Sequence, residues 1–259
     1  MSYNPFSLEG KTVLVTGASS GIGQATAIEC AKMGAKVVIT GRNVERLQET
    51  FDQLEGRLQE TFDQLEGEGH LQIAADLNDE AEIAKLVEQC PVLDGLVNNA
   101  GRGKSKPVNF LGLDDLQDVF QTNLFGVALL TKMLLKKKKI SKGGSIVFTS
   151  SISAYMTAAG LSIYASSKAA VSAYMRTCAI ELGSKGIRCN AILPGMVETK
   201  LINSGTYTDE DKKADLALYP LGRYGRPEDI ARAMVFLLSD ASVWVTGTEL
   251  IVDGGRCLK

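Results

Sequence analysis

Histidine is almost absent from this chain: His70 is the only one in 259 residues. One imidazole cannot build a histidine-based metal site, and a Ser-His-Asp nucleophile is equally improbable. Cysteine is sparse and unpaired. Cys30, Cys90, Cys178, Cys189 and Cys257 are odd in number, widely spaced and contain no C-x-x-C pair. That pattern fits reduced thiols in a cytoplasmic protein better than a disulfide frame. No apolar run approaches the roughly 18 residues of a membrane span. Residues 1–5 show no cationic stretch followed by an apolar one, so no signal peptide is expected. Excess charge is also missing, with 28 basic against 30 acidic residues and a net charge of -2, which argues against a nucleic-acid partner. The local exception is the lysine run 136–139, which reads as a solvated helix end where cations meet the negative pole of the dipole.

What the chain does contain is apolar sequence in short, regularly spaced blocks. Hydrophobic residues make up 45% of it, enough for a sizeable core. Strands are predicted over 11–16, 36–40, 71–75, around Leu96 and Val97, and over 145–149, 187–193 and 249–252. Helices are predicted over 24–32, across most of 114–139, and over 162–182 and 227–238. Near-continuously apolar strands alternating with helices predict an α/β fold: a Rossmann-type, doubly wound parallel sheet of about seven strands with helices on both faces. No linker divides the chain, so residues 1–259 are expected to form a single domain.

One segment is irregular. Residues 46–56, Arg-Leu-Gln-Glu-Thr-Phe-Asp-Gln-Leu-Glu-Gly, recur letter for letter as 57–67, a tandem duplication rather than a solenoid period. Eleven residues are close to three helical turns, so a helix carrying both copies gains about 16 Å and keeps nearly the same face inward. One copy is expected to pack and the other to extend or bulge into solvent, with Gly56 a possible helix end. No catalytic role is expected for the repeat.

The chemistry concentrates at Tyr164 and Lys168. Four residues apart on a predicted helix, they share one face. A phenol of pKa about 10 is a poor base at neutral pH. A nearby ammonium favours phenolate, and lowering the pKa by about two units takes roughly 2.7 kcal/mol of differential stabilisation. Ser151, after the apolar run of Ile146, Val147 and Phe148, stands at a predicted strand end, where its hydroxyl could meet the tyrosine over a bound carbonyl oxygen. Upstream, the turn from Thr16 through Gly17, Ala18, Ser19, Ser20, Gly21 and Ile22 to Gly23 follows a strand and opens a helix, the setting for a dinucleotide pyrophosphate. Its spacing is Gly-x-x-x-Gly-x-Gly rather than G-x-G-x-x-G. At the end of the second strand stand Gly41, Arg42 and Asn43, with no carboxylate to bond a ribose 2'-hydroxyl. NADP(H) is therefore expected as the preferred cofactor, with NAD(H) possible.

Together these residues resemble the short-chain dehydrogenase/reductase family, with a match running over residues 8–255 apart from the duplicated eleven. The resemblance rests on residues 16–23, Asp76, Asn98, Asn99, Ala100, Gly101, Asn123, Ser151, Tyr164, Lys168, Pro194 and Gly195. It implies that Asp76 and Leu77 border the adenine and that Asn98 to Gly101 support the central strand and line the cofactor. It also implies that the stretch with Pro194, Gly195, Val197 and Thr199 contacts the nicotinamide end, and that Asn123 holds a water linking Lys168 to solvent. One departure stands out: many NADP-using members carry a basic residue where this chain has Ser20. That leaves Arg42 as the main phosphate partner. The expected reaction moves a hydride between nicotinamide C4 and a carbonyl carbon, with Tyr164 exchanging the proton, Ser151 holding the oxygen, and Lys168 lowering the tyrosine pKa and bonding the ribose. The C-terminal phrases at 220–230 and 245–255 are most similar to 3-oxoacyl-(acyl-carrier-protein) reductases, and residues 136–139 could help hold an acidic carrier protein; sugar, polyol and steroid alcohols remain open. Specificity is expected from 152–161 and from 201–219, the latter as a polar lid. Apolar and small residues on the helices from 114 and from 162 point, with the resemblance, to a homotetramer. A non-catalytic dinucleotide-binding regulator is the remaining alternative.

Overall fold

The computed structural model describes residues 3–61, 69–199 and 209–259, without the side chains of 55–61 and 209–212. In chain order the elements are β1 (Thr12–Thr16), α1 (Gly21–Lys32), β2 (Lys36–Thr40), α2 (Val44–Thr61), β3 (Leu71–Gln72), α3 (Glu80–Gln89) and β4 (Leu93–Asn98). They continue with α4 (Leu113–Phe120), a π-helical turn (Gln121–Phe125), α5 (Gly126–Lys136), β5 (Ile140–Thr149), α6 (Ser162–Leu182), β6 (Arg188–Pro194), α7 (Asp209–Leu216), α8 (Pro227–Leu238) and β7 (Glu249–Val252). The strands form one parallel sheet in the order β3-β2-β1-β4-β5-β6-β7. The order reverses between β1 and β4, and in such sheets a crevice opens above the carboxyl ends of those two strands.

The apolar strands are continuous because both faces are covered. In β1, Val13 and Val15 enter a core with α1, α2 and α8, while Leu14, pointing the other way, enters a second core with α3, α5 and α6. The expected fold class is present. Most element bounds agree within a few residues, and the differences have local causes. β3 is only two residues long, although Ile73 and Ala75 still donate backbone bonds to Ile39 and Gly41. α3 lay outside the sequence reading. Asp79 starts it by accepting from the amides of Ala81 and Glu82, and Ile83, Leu86 and Val87 form its buried stripe. The expected helix over 114–139 is interrupted by the π turn, a feature that recurs at functional sites.

The first copy of the duplicated segment packs on the core. Leu47, Thr50 and Leu54 are buried along α2, and the helix runs through Gly56 instead of stopping there. The remainder of the second copy lies outside the described residues beyond Thr61. All five cysteines are free thiols, and burial pushes Cys30 and Cys189 up to about 12. Among the described residues no helix is long and apolar enough to cross a membrane.

Candidate active site

The carboxyl ends of β1 and β4 carry the glycine turn and the Asn98 to Gly101 stretch, and they are locked together by one hydroxyl. Thr16 Oγ1 accepts from the amides of Asn99 (2.9 Å) and Ala100 (3.0 Å) and donates to the Val97 carbonyl. Sequence reasoning placed Thr16 only as the start of the turn. Nothing in a lone strand-end threonine signals this hub. Asn99 Nδ2 donates to the Thr16 carbonyl at 3.1 Å. Gly17 has φ +64, and a Cβ there would come within 2.9 Å of Ala100 Cα, while one at Gly23 would strike the Gly17 carbonyl. The glycines therefore serve first to let β1 turn tightly against β4. Asn98 donates to Thr131 at 3.2 Å, and its Oδ1 is buried without a partner.

The turn fits a pyrophosphate. Ser20 stands at the N-cap of α1, yet its side chain makes no capping bond, so the first-turn amides keep their donors and the helix's positive end for an anion. Ser19 packs beside Gly41, 3.5 Å from where a Cβ would stand, and Ile22 packs partly buried on the core. Thr199 reaches over from the end of β6, its Cγ2 3.2 Å from a Cβ built at Gly21. Arg42 and Asn43 are exposed at the end of β2. Asn43 has a local task as well, accepting from the Arg46 amide at 2.7 Å at the start of α2. Asp76 accepts from the Asn78 amide, and the buried Leu77 is pressed by Gly126, where a Cβ would strike the Leu77 carbonyl. A Cβ at Gly195 would come within 2.9 Å of Asp253 Cα, and buried Val197 bridges to Gly225.

Ser151, Tyr164, Lys168 and Asn123 converge above the ends of β4 and β5. The Ser151 side chain lies near enough to the Tyr164 phenol to oppose the rise of its pKa. Lys168, 4% exposed, donates from Nζ to the Thr149 carbonyl at 2.7 Å and lies 5.9 Å from the centre of the Tyr164 ring. Asn123, in the π turn, accepts from the Arg102 amide (2.8 Å) and donates to the Arg102 carbonyl (3.0 Å) and to Ser167 Oγ (2.9 Å). Ser167 in turn donates to the Tyr164 carbonyl. A Cβ at Gly101 would stand 3.2 Å from both Asn123 Oδ1 and Lys168 Nζ, so glycine leaves those groups facing one gap. Thr149 Oγ1 donates to Asn99 Oδ1 at 3.3 Å, joining this cluster to the glycine turn.

One expectation needs correction. Lys168 does not hold the Tyr164 phenol below its usual pKa. Burial pushes the phenol up, and the Ser151 side chain only opposes that shift. The reason is that the ammonium is spent on a carbonyl and itself destabilised, burial bringing its pKa down to about 8. The lysine run 136–139 precedes β5, at the opposite end of that strand from Ser151. Of the expected lid, residues 201–208 lie outside the described residues; 209–216 form α7, and Tyr219 is buried.

The family profile described as Enoyl-(Acyl carrier protein) reductase matches residues 17–256. The chain belongs to the short-chain dehydrogenase/reductase family. Among reductases and dehydrogenases of this family, it is 39% identical over 251 residues to an L-rhamnose 1-dehydrogenase (NAD(P)(+)) of Sphingomonas sp. strain SKA58, covering 96% of each chain. It is 34% identical to the 3-oxoacyl-(acyl-carrier-protein) reductase of Thermotoga maritima, covering 96% of this chain and 98% of the other. A provisionally assigned NAD(P)-dependent gluconate 5-dehydrogenase of Beutenbergia cavernae, solved with NADP at low occupancy, superposes with a TM-score of 0.88 at 33% identity over 99% of this chain and 100% of that one.

The buried lysine sets a measurable pH dependence. Its folded pKa of about 8 lies below the unfolded value of about 10.4, so between the two the unfolded chain binds a proton that the native chain does not. Stability from this group therefore rises across that window. In urea unfolding of the cofactor-free protein, wild type should gain on Lys168→Met by on the order of 3 kcal/mol as pH rises from about 8 to about 10.4. A difference that stays flat or shrinks would contradict the buried-ammonium reading.

Proposed function

We propose that this short-chain dehydrogenase/reductase is an NADP(H)-preferring enzyme of the cytoplasm that interconverts a secondary alcohol and a carbonyl, with Tyr164 as acid/base. NAD(H) remains usable. The observation that carries the reading is the convergence of Ser151, Tyr164 and Lys168 beside the glycine turn, with the Ser151 side chain acting on the tyrosine phenol. The bound nicotinamide supplies or accepts the hydride. Ser151 and Tyr164 hold the substrate oxygen from two sides, and the protonated phenol, which burial favours, is the right form to give a proton during reduction. In the opposite direction Tyr164 takes that proton. Lys168 bonds the nicotinamide ribose, while Asn123 fixes the 102 loop and holds the water that relays protons toward solvent.

Cofactor contacts are assigned to Gly17, Ser19, Ser20, Gly21, Ile22 and Gly23 at the pyrophosphate, and to Asp76, Leu77 and Asn98 to Gly101 along the adenosine half and the central strand. Pro194, Gly195, Val197 and Thr199 are assigned to the nicotinamide end. Arg42, with Asn43 beside it, takes the 2'-phosphate. The NAD(P)(+) specificity of the rhamnose dehydrogenase and the NADP in the solved relative support this choice. For the substrate, we favour a sugar or polyol, on the 39% identity to the rhamnose dehydrogenase. A 3-oxoacyl thioester on acyl carrier protein is the second reading, supported by the reductase relative and the shared C-terminal phrases. The whole of 1–259 acts as one domain. Exposed Leu113, Leu116 and Phe125 along α4 and the π turn favour assembly into a homotetramer.

Tyr164→Phe should lower kcat by about 10²–10⁴-fold while the dissociation constant for NADPH, read by nicotinamide fluorescence, stays within about twofold; retained turnover would remove the tyrosine from its role. Arg42→Ala should weaken NADPH binding by about 10–100-fold and NADH binding hardly at all. Equal losses for the two cofactors would assign the 2'-phosphate elsewhere.

A further inference from the structure

The tail after β7 turns back at the sheet's carboxyl edge and touches the segment between Ser151 and Tyr164, the end of α7 and Tyr219. Gly254 (φ +64) and Gly255 (φ +85) make the reversal, and the Asp253 carboxylate fixes it by accepting from the amides of Gly255 (2.9 Å) and Cys257 (2.7 Å). Arg256 then reaches outward. Its Nη1 donates to Met156 Sδ at 3.4 Å, in the segment between Ser151 and Tyr164. Nη2 lies 3.6 Å from Asp215 Oδ1 at the end of α7, and the guanidinium sits 6.0 Å over the ring of Tyr219. Tyr219 accepts from the amide of Met196, just past Pro194 and Gly195, at 3.1 Å.

This cation is placed but little used. Guanidinium has five N–H donors; among the described residues its acceptors are a thioether, which is weak, and a carboxylate beyond hydrogen-bond distance. The Arg256 and Asp215 side chains are 19% and 27% exposed, so both are sheltered yet reachable. Asp215 Oδ2 accepts from the Tyr224 hydroxyl at 3.0 Å, and the rings of Tyr219 and Tyr224 meet edge to face at 5.2 Å. One cation stands among two carboxylates, Asp215 and Asp253. That balance disfavours an anionic group and suits a neutral one whose hydroxyls both donate and accept, with tyrosine rings beside its carbon skeleton.

We propose that Asp215 and Arg256, flanked by Tyr219 and Tyr224, form the hydroxyl-recognising subsite for a neutral sugar or polyol, an assignment that rests on the oxidoreductase reading above. Arg256 donates to one substrate hydroxyl, Asp215 accepts from its neighbour, and together they select hydroxylated substrates over plain alcohols of the same size.

The test compares L-rhamnose with cyclohexanol as substrates of the full-length protein and NADP+. Arg256→Met keeps the length of the side chain and removes its donors; Asp215→Asn keeps the shape and removes the charge. Each should raise KM for the sugar by about 10–100-fold and leave KM for cyclohexanol and the dissociation constant for NADPH within about twofold. Calorimetric titration of the sugar into the NADP+-bound protein should show the same loss of affinity in both variants. Equal losses for both alcohols, or a sugar KM unchanged in the soluble variants, would overturn the subsite while leaving the enzyme reading in place. A wild type that oxidises cyclohexanol and not the sugar would do the same. A wild type that binds NADPH but turns over neither would overturn both.

Discussion

A buried ammonium is the constraint around which this site is built. Lys168 is 4% exposed, and its protein acceptor is the Thr149 carbonyl at the end of β5. Holding a cation there costs stability, which is why its pKa falls to about 8. The surroundings nevertheless keep it in register. Gly101 leaves room beside it, Asn123 closes the other side of that gap, and Ser150 Oγ binds the Lys168 backbone carbonyl at 2.9 Å. A group that is costly to bury and held this firmly is what a site awaiting the hydroxyls of a dinucleotide ribose needs. The same burial acts on Tyr164, keeping its phenol protonated, and the tyrosine is set as a proton donor.

The second constraint is the contact between β1 and β4 at the point where strand order reverses. Thr16 satisfies two amides of the neighbouring loop, and Gly17 and Gly23 permit an approach that any side chain would block. The proposed pyrophosphate binding would then be a by-product of geometry: an uncapped helix start, amides forward, on a turn that packing has already fixed. The Thr149–Asn99 bond carries this rigidity across to the tyrosine helix.

The alternation of apolar strands with helices was enough to place the sheet, because strands buried on both faces read as continuous apolar runs. The Tyr164–Lys168 spacing likewise put both on one face of α6. What remained hidden was set by distant partners. The sign of the tyrosine pKa shift depends on how deeply α6 is covered, and the lysine run 136–139 ends up at the amino end of β5, which only the strand direction reveals. The roles of Thr16 and Ser167 rest on contacts made 83 and 44 residues away. α3 was different: Asp79 and the spacing of Ile83, Leu86 and Val87 announced it, and its short length let it pass as a connection.

The most direct measurement is a crystal structure of the full-length protein with NADP+ and an unreactive alcohol bound. The account predicts the Tyr164 and Ser151 hydroxyls on one ligand oxygen beside nicotinamide C4, with Lys168 Nζ on the nicotinamide ribose. A phenol turned away from the nicotinamide ring, with no space for a ligand between them, would contradict it.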